Sequence, residues 1–170
     1  MKWSKPARNR LPGHDYSGLG VYFVTCCVRD RLQLLADTRD EGFVLNRFGR
    51  VLESCWDTLP AHYPHVQLDK MIVMPNHLHG ILIFRPSAVP CKHDLFEVVR
   101  ALKSFSARRI NEIRETPGSS VWQRGFYHSV ITNRSTLHGT RDYIRLNPTR
   151  WRHRRIWAGL RPALLIAADL

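Results

Sequence analysis

The sequence lacks the features that mark several common classes of protein. No apolar run approaches the ~18 residues that span a bilayer, and residues 1–18 are basic without the apolar stretch of a secretory signal, so neither a membrane span nor export is predicted. The four cysteines include no CxxC pair, which argues against a zinc ribbon or a thioredoxin-like site. The phosphate-binding motif of nucleotide-driven enzymes, GxxxxGK followed by Ser or Thr, is also absent.

Acidic residues are scarce. The chain of 170 residues has 26 Lys and Arg against 14 Asp and Glu, a formal net charge of +12 at pH 7. The excess is largest in residues 134–161, which contain eight arginines and a single acid, Asp142. A compact domain with this charge typically faces a polyanion, with nucleic acid first and an anionic membrane second. Since 44% of the residues are hydrophobic, a folded core is expected.

Hydrophobic patterns predict alternating strands and helices. Runs rich in β-branched and aromatic residues predict strands at 21–28, 42–45, 66–74 and 77–84 and within 126–131, with residues 29–40 as a loop. Apolar residues spaced by three and four predict helices that follow Asn46 and end at Pro60, that cover about 94–114, and that run from a Ser135 cap to Asn147, where Pro148 stops the helix.

This element order predicts an α+β fold. The hairpin within residues 66–84 makes the sheet largely antiparallel, and the helices would pack on it as in a ferredoxin-like sandwich. We predict a single domain over residues 1–150 and a C-terminal tail over residues 151–170.

Two histidines flank a leucine directly after a predicted turn, in Pro75-Asn76-His77-Leu78-His79. Because side chains at i and i+2 of a strand point to the same face, His77 and His79 project together. Two imidazoles about 7 Å apart along a strand can converge on one divalent ion. The alternative is a pair of packed or solvated histidines at a hairpin edge, and a metal site needs a further ligand from elsewhere.

A second pattern, DYIRLNP at 142–148, lies on the last predicted helix. Tyr143 and Asn147 are i and i+4, so they share a helix face. A tyrosine hydroxyl there can act as a nucleophile, and the side-chain oxygen of Asn147 can complete a metal shell. Leu137 and Ile144 fall on another face and would anchor the helix in the core. Taken alone, the pattern favours an ordinary core or rim tyrosine and an asparagine in a C-terminal turn.

Basic and aromatic residues alternate in two further segments. In residues 121–130, Trp122 and Arg124 lie close together, and aromatics beside cations suit single-stranded nucleic acid, where bases stack and phosphates pair. The alternative is an aromatic core seam, which is favoured for Trp122. The helix at about 94–114 carries Arg100, Lys103 and Arg108 on its polar side, either as a DNA-contacting edge or as a solvated face.

Three segments in a fixed order carry a family resemblance. The runs LDKMIVMPNHLHGILIF (68–84), VWQRGFYHSVI (121–131) and DYIRLNP (142–148) resemble the REP-associated tyrosine transposases. These are small relatives of the insertion-sequence transposases in the HUH (His-hydrophobe-His) nuclease superfamily. Segments 14–31 and 41–56 are also similar to family segments, so the resemblance covers about residues 14–151. The combination is specific, whereas each motif alone is weak.

The resemblance implies one HUH domain that is a metal-dependent endonuclease and strand transferase on single-stranded DNA hairpins of palindromic repeats. By position in the motifs, His77 and His79 would be metal ligands, Tyr143 the nucleophile that forms a 5′-phosphotyrosine, and Asn147 a further metal-binding residue. The ion would be Mg²⁺ or Mn²⁺, with two imidazoles favouring Mn²⁺. Both imidazoles must be neutral to bind it, so activity is expected to fall below pH about 6.

Cations would hold the DNA backbone in such an enzyme. The candidates are Arg100, Lys103, Arg108, Arg124, Arg145, Arg150 and Arg152, and Trp122 is a candidate DNA contact that would stack on bases. Where the family commonly has an acid followed by His after the aromatic pair, this chain has His128-Ser129, so no role is assigned there.

The sequence leaves other functions open. A domesticated, non-catalytic protein that only binds hairpin DNA would keep the charge and the aromatics but would not need Tyr143 or the histidines. A relaxase or replication initiator usually has a longer chain and often two tyrosines on the nucleophile helix. A peripheral membrane protein depends on the charge and the apolar tail alone. We expect a cytoplasmic, nucleoid-associated protein, a monomer or homodimer without a membrane partner.

Overall fold

The computed structural model describes residues 10–39, 42–87 and 93–166, and for residues 150 and 152–166 only the helical backbone. Its elements, in chain order, are β1 (Gly20–Cys27), β2 (Ala36–Arg39), β3 (Gly42–Leu45), α1 (Arg47–Asp57), α2 (Leu59–His62), β4 (Val66–Met74), β5 (His77–Phe84), α3 (Leu95–Arg114), β6 (Tyr127–Val130) and α4 (Arg134–Ile166). A short 3-10 turn, Arg29–Arg31, follows β1.

One antiparallel sheet organises the molecule. Its strand order is β4-β5-β1-β6, with β5 and β1 in the middle, and β2 and β3 form a separate two-stranded hairpin. Helices α1 and α3 contribute to the core on one face of the sheet, and α4 packs on the other. The predicted α+β fold with a largely antiparallel sheet and packed helices is confirmed.

The face under α1 and α3 carries the main core. Alternate residues of β1 and β5 point into it, because successive side chains of a strand point to opposite faces. Tyr22, Val24 and Leu78 are among its fully buried side chains. Gly80 lies directly beneath the ring of Trp56, where an added Cβ would approach that ring to 2.3 Å. The close approach of α1 to the sheet therefore requires a residue without a side chain at position 80.

The opposite face of the sheet carries a smaller apolar cluster beneath α4. Phe23, Ile81, Ile131 and Ile144 are its buried members, and Leu137 packs against them. The predicted anchoring of α4 by Leu137 and Ile144 is confirmed. This cluster positions the part of α4 that contains Tyr143 over the central strands.

Two predicted boundaries before β4 are wrong. Residues 36–39, expected in a loop, pair with β3 from Ala36 opposite Leu45 onward, although only Ala36 is buried among them. A strand held mainly by backbone pairing shows little hydrophobic alternation, which is why the pattern missed it. Pro60 does not end α1, which stops at Asp57; it lies in the first turn of α2, where its missing N–H needs no helical partner.

Both ends of α4 also differ from the prediction. The backbone N–H of Thr136 donates to the Asn133 side chain (2.8 Å), so the helix begins two residues earlier than a Ser135 cap would allow. Pro148 does not stop the helix, which continues to Ile166 across the predicted boundary at residue 150. An interior proline removes one N–H donor and strains the preceding turn, which contacts elsewhere can offset. Three residues after Pro148, the Trp151 ring lies 5.4 Å from that of Phe43 on β3.

No helix in the described part of the chain is both long enough and apolar enough to cross a membrane.

Candidate functional site

The two histidines singled out from the sequence converge beneath α4. Both lie on β5, on the face opposite the main core, because they alternate with Leu78. Their Nε2 atoms are 3.0 Å apart. His79 is 1% exposed and stacks against the ring of Phe23 at a centroid distance of 5.3 Å. The predicted same-face projection of the pair is therefore present in the structure.

Each imidazole is oriented through its other nitrogen. The Nδ1–H of His77 donates to Asn76 Oδ1 (2.7 Å), and the Asn76 amide is itself fixed because its Nδ2 donates to the carbonyl oxygen of Arg31 (3.2 Å). His77 Nε2 is consequently unprotonated and directed at His79. His79 Nδ1 contacts Thr25 Oγ1 at 2.7 Å. A hydroxyl can donate or accept, so Thr25 supports His79 in either tautomer.

Burial keeps both imidazoles neutral. It lowers the pKa of His77 to about 4, with a further contribution from the positive charge of Arg31. Burial also lowers the pKa of His79, to about 2, and the charges of His77 and Arg31 lower it further. Neutral imidazole is the form that binds a metal ion. Because these groups stay neutral well below pH 6, the loss of activity is now expected at a lower pH than the sequence alone predicts.

The two nitrogens are close enough together to bind one cation. Two ligands that are each about 2.1 Å from the same ion lie about 3.0–3.4 Å apart. Within the described residues no group of three His, Cys, Asp or Glu side chains could hold a metal. Further ligands would therefore be an amide oxygen, water or substrate. Asn147 is buried (8% exposed) one helical turn after Tyr143, and its role as a ligand stays a prediction.

Tyr143 is brought to the imidazole pair by α4. Its ring lies 5.4 Å from His79 and 6.0 Å from Phe23, measured between ring centroids, with both contacts edge-on. Tyr127, on β6, is the alternative candidate for the nucleophile. It pairs with Thr25 of β1 and so lies on the same sheet face, but β1 separates it from β5. The structure therefore brings Tyr143 into contact with His79 from a separate element.

An ion pair ties this part of α4 to the edge of the sheet. Arg141, two residues before Tyr143, donates from both Nε (3.0 Å) and a terminal nitrogen to the carboxylate of Asp69 on β4. The Arg141 hydrogen bond lowers the pKa of Asp69 below its usual value. A two-point contact of this kind restricts rotation as well as distance, so it fixes the orientation of the helix that carries Tyr143.

The predicted DNA-binding residues fall into four groups. Arg100, Arg108, Arg124 and Arg145 are exposed, although Arg145 also pairs with Asp142 at 3.2 Å. Lys103 donates to the backbone carbonyls of Gln123 (2.8 Å) and Gly125 (2.6 Å), so it supports the loop before β6. Trp122 is 7% exposed and its indole N–H donates to Ser106, which makes it a core residue as the alternative interpretation expected. The side chains of Arg150 and Arg152 lie outside the described residues.

His128, to which no role was assigned, lies away from the imidazole pair. It is opposite Val24 and therefore on the main-core side of β6. Its Nε2 contacts the hydroxyl of Tyr16 at 2.9 Å within an aromatic cluster that includes Phe96 and Phe126. Burial lowers its pKa.

Four residues around the imidazole pair are not identified by the sequence motifs. The patterns place Phe23 and Thr25 only in a predicted strand, Asn76 in a turn and Arg31 in a predicted loop. A lone hydroxyl in a buried strand is a usable signal for a residue like Thr25, since buried polar groups need partners. The other three depend on contacts between distant segments.

Comparison with known proteins gives the family. Residues 22–147 match the model of the family described as "Transposase IS200 like". A protein from Haemophilus influenzae described as uncharacterized is 30% identical over 162 residues, covering 84% of this chain and 87% of the relative.

One solved structure shares this fold, and a second is less similar. A REP-associated tyrosine transposase bound to a REP hairpin superposes with a TM-score of 0.58 at 21% identity, over 87% of this chain and 74% of that one. A crystal structure of a putative transposase from Deinococcus radiodurans has a TM-score of 0.46 at 22% identity, over 81% and 95% of the two chains. With the family model covering most of its length, and the HxH strand and tyrosine helix in contact, this chain belongs to the IS200-like transposases.

Proposed function

We propose that the protein cuts and rejoins single-stranded DNA through a covalent link to Tyr143. His77 and His79 would hold a divalent cation, Mg²⁺ or Mn²⁺, with Asn147 as a further ligand. The observation that supports this most strongly is the contact between elements: the Tyr143 ring lies 5.4 Å from His79, whose Nε2 is 3.0 Å from that of His77. Three chemically suited groups from β5 and α4 thus share one site.

The chemistry assigned to Tyr143 is a phosphoryl transfer without an external energy source. Its hydroxyl oxygen attacks the phosphorus, the P–O3′ bond breaks, and the bonding electron pair leaves with O3′. The proton lost by the tyrosine is balanced by the one that O3′ takes up. The products are a 5′-phosphotyrosine and a free 3′-OH, and a second 3′-OH can reverse the reaction and rejoin DNA. A bound cation would neutralise charge on the phosphate and the leaving oxygen.

The remaining residues of the site would orient the two imidazoles and the helix that carries Tyr143. Asn76 and Thr25 hold the imidazoles with their Nε2 atoms converging. The Arg141–Asp69 pair holds α4 on the sheet, so that the tyrosine hydroxyl stays near the imidazoles. Fixed placement of reacting groups is a large part of catalysis in phosphoryl transfer.

We propose DNA hairpins of palindromic repeats as substrates. The solved transposase of the same fold is bound to a REP hairpin, and the charge of +12 suits a polyanion. Exposed Arg100, Arg108, Arg124 and Arg145 are proposed backbone contacts, together with Arg150 and Arg152. Such a protein would work in the cytoplasm at the nucleoid, as a monomer or homodimer.

A covalent-adduct assay tests the proposal. With labelled hairpin DNA and Mn²⁺, wild-type protein should give a slow-migrating band on a denaturing gel. Tyr143→Phe should remove that band and all cleavage while keeping hairpin affinity. Tyr127→Phe is the matched control and should keep the band. An adduct that survives Tyr143→Phe would contradict the assignment, and hairpin binding without any cleavage by wild type would favour the non-catalytic alternative.

A further inference from the structure

A basic cleft of about 460 Å³ lies just beyond the end of β1. One wall is the 3-10 turn after β1, with Arg29 and Arg31, and the other is the loop before β6, with Gln123 and Arg124. All three arginines are exposed. Arg29 and Arg31 lie in the segment expected to be an unstructured loop, so the cleft was not visible in the sequence.

The positive charge of this cleft is largely uncompensated. Within the part of the chain that the structure describes, neither Arg31 nor Arg124 has a carboxylate within ion-pair distance. Arg29 contacts Asp30 at 3.5 Å, and both side chains of that pair are mostly exposed, 59% and 76%. Exposed ion pairs of this kind are weak, so another anion can readily replace Asp30 as the partner of Arg29. The cleft thus offers three guanidinium groups to a ligand.

The frame of the cleft is fixed by hydrogen bonds between distant segments. The backbone N–H of Arg29 donates to Val121 (2.9 Å), and that of Gln123 donates to Cys27 (2.8 Å). Lys103 holds the carbonyls on either side of Arg124. Asp30 and Arg31 adopt left-handed backbone conformations, with φ of 53° and 57°, which the surrounding contacts maintain. The arginines are therefore presented by a rigid scaffold.

The cleft is connected directly to the imidazole pair. The Arg31 carbonyl accepts from the same Asn76 amide whose oxygen orients His77. Cys27, at the end of β1, pairs with His77 at the start of β5, so the turn that carries Arg29 and Arg31 begins next to the site. A strand of DNA whose phosphate reaches His77 could therefore extend along this turn.

We propose that this cleft binds the phosphodiester backbone of the single-stranded DNA that leads into the imidazole pair, with Arg29, Arg31 and Arg124 contacting phosphates. Guanidinium groups suit this role because their planar donor array matches phosphate oxygens. Since Trp122 is buried, the cleft offers no exposed aromatic ring for stacking, and the contacts would be independent of base sequence. This inference rests on the proposed function, because it assumes a nucleic-acid strand at the imidazole pair.

The test is equilibrium binding with EDTA present, so that no cleavage occurs. The probes are a labelled DNA hairpin with a single-stranded flank, the same hairpin without the flank, and a plain single strand. Arg31→Gln combined with Arg124→Gln should weaken binding of the flanked hairpin and the single strand at least about tenfold. The plot of log K against log salt concentration should become shallower, with the magnitude of its slope reduced by about 0.7 for each lost phosphate contact. Binding of the flankless hairpin should stay within about twofold of wild type.

Arg85→Gln is the matched control. Arg85 is exposed just beyond the far end of β5, so this change removes one charge away from the cleft and should leave the flank-dependent gain intact. Unchanged binding of the flanked hairpin by the double variant would overturn the proposal. Equal loss on all three probes, or an equal effect of Arg85→Gln, would show a general charge effect and also overturn it. A wild-type protein that forms no adduct would contradict the proposed function without altering these binding results.

Discussion

The two faces of the central sheet carry different kinds of residues. The face under α1 and α3 is a large apolar core that includes Trp56 and Leu78. The face under α4 has four buried apolar residues, and beside them lie the two histidines and Tyr143. Stability in such a molecule comes mainly from the first face, because buried apolar area is the dominant favourable term. The second face has little apolar surface and keeps polar groups that a core would exclude.

This division means that single substitutions should separate folding from chemistry. A change on the α4 face should alter cleavage or metal binding with a small effect on the free energy of unfolding. A change on the α1 and α3 face should do the opposite. The strand β5 serves both faces, since Leu78 and His79 are adjacent and point in opposite directions.

The largest expected effect is the loss of cleavage in His79→Ala. Removing one of two imidazole ligands should reduce the cleavage rate at least about 10³-fold, equivalent to about 4 kcal/mol. Hairpin affinity should change little, because the charge of the protein is unaffected. Cleavage of labelled hairpin DNA and gel-shift titration measure the two quantities, and EDTA should reproduce the variant in wild type. Wild-type cleavage that is indifferent to EDTA would contradict a metal site here.

The converse change is Trp56→Ala on the other face. Trp56 is 1% exposed against Gly80, so its removal should lower the free energy of unfolding by about 3–5 kcal/mol. Cleavage per folded molecule, measured in the cold, should stay close to wild type. Phe105→Ala is the aromatic control, since Phe105 is 51% exposed and should cost little. Urea denaturation gives the free energies, and equal losses for the two variants would argue against this division.

Much of this arrangement could be predicted from local sequence patterns. The strand period places His77 and His79 on one face, and the helical period places Leu137 and Ile144 together beneath α4. These patterns depend only on residues that are close together in the chain, which is why both predictions are confirmed. The Ser135 cap and the stop at Pro148 failed because Asn133 offered an earlier cap and because contacts such as Trp151 with Phe43 hold the helix beyond the proline.

What could not be predicted depends on contacts between distant segments. The Arg141–Asp69 pair joins residues 72 positions apart, and the Asn76–Arg31 bond joins residues 45 positions apart. No local period encodes such pairs. The same holds for Lys103, whose basic side chain suggested a DNA contact but lies against two backbone carbonyls.

A smaller effect is expected for Asn76→Ala. Without the Asn76 oxygen, His77 loses the acceptor that fixes its tautomer and ring orientation. Such outer contacts typically contribute 10–100-fold to metal affinity, so Mn²⁺ should bind about 10–100-fold more weakly. Titration followed by electron paramagnetic resonance measures this directly. Gln67→Ala, at an exposed position on β4, is the control and should bind Mn²⁺ like wild type. If Asn76→Ala bound Mn²⁺ as tightly as wild type, the contact between Asn76 and His77 would not be needed to orient the imidazole.

A pH dependence of stability is also expected in metal-free protein. Burial lowers the folded-state pKa of His77 and His79 below the unfolded value of 6.5, and that of His128 in the same direction. Between pH 6.5 and about 4 the unfolded chain therefore binds protons that the folded one excludes, and stability is lost as the pH falls. The free energy of unfolding should drop by up to about 1.4 kcal/mol per pH unit for each of His77 and His79.

Urea denaturation at pH 6.5 and pH 5 with EDTA measures that drop. His77→Gln removes one titrating group and should make the pH dependence shallower than in wild type. Equal free energies of unfolding at the two pH values would contradict the burial of neutral imidazoles on the α4 face.

The placement of the nucleophile on α4 can be tested by locating the covalent bond to DNA. Trypsin cleaves after Arg124, Arg134, Arg141 and Arg145, so it separates the two competing tyrosines into peptides 125–134 and 142–145. Wild-type adduct digested with nuclease and trypsin should carry its residual nucleotide on peptide 142–145, at Tyr143, as mass spectrometry would show. A nucleotide on peptide 125–134, at Tyr127, would contradict it.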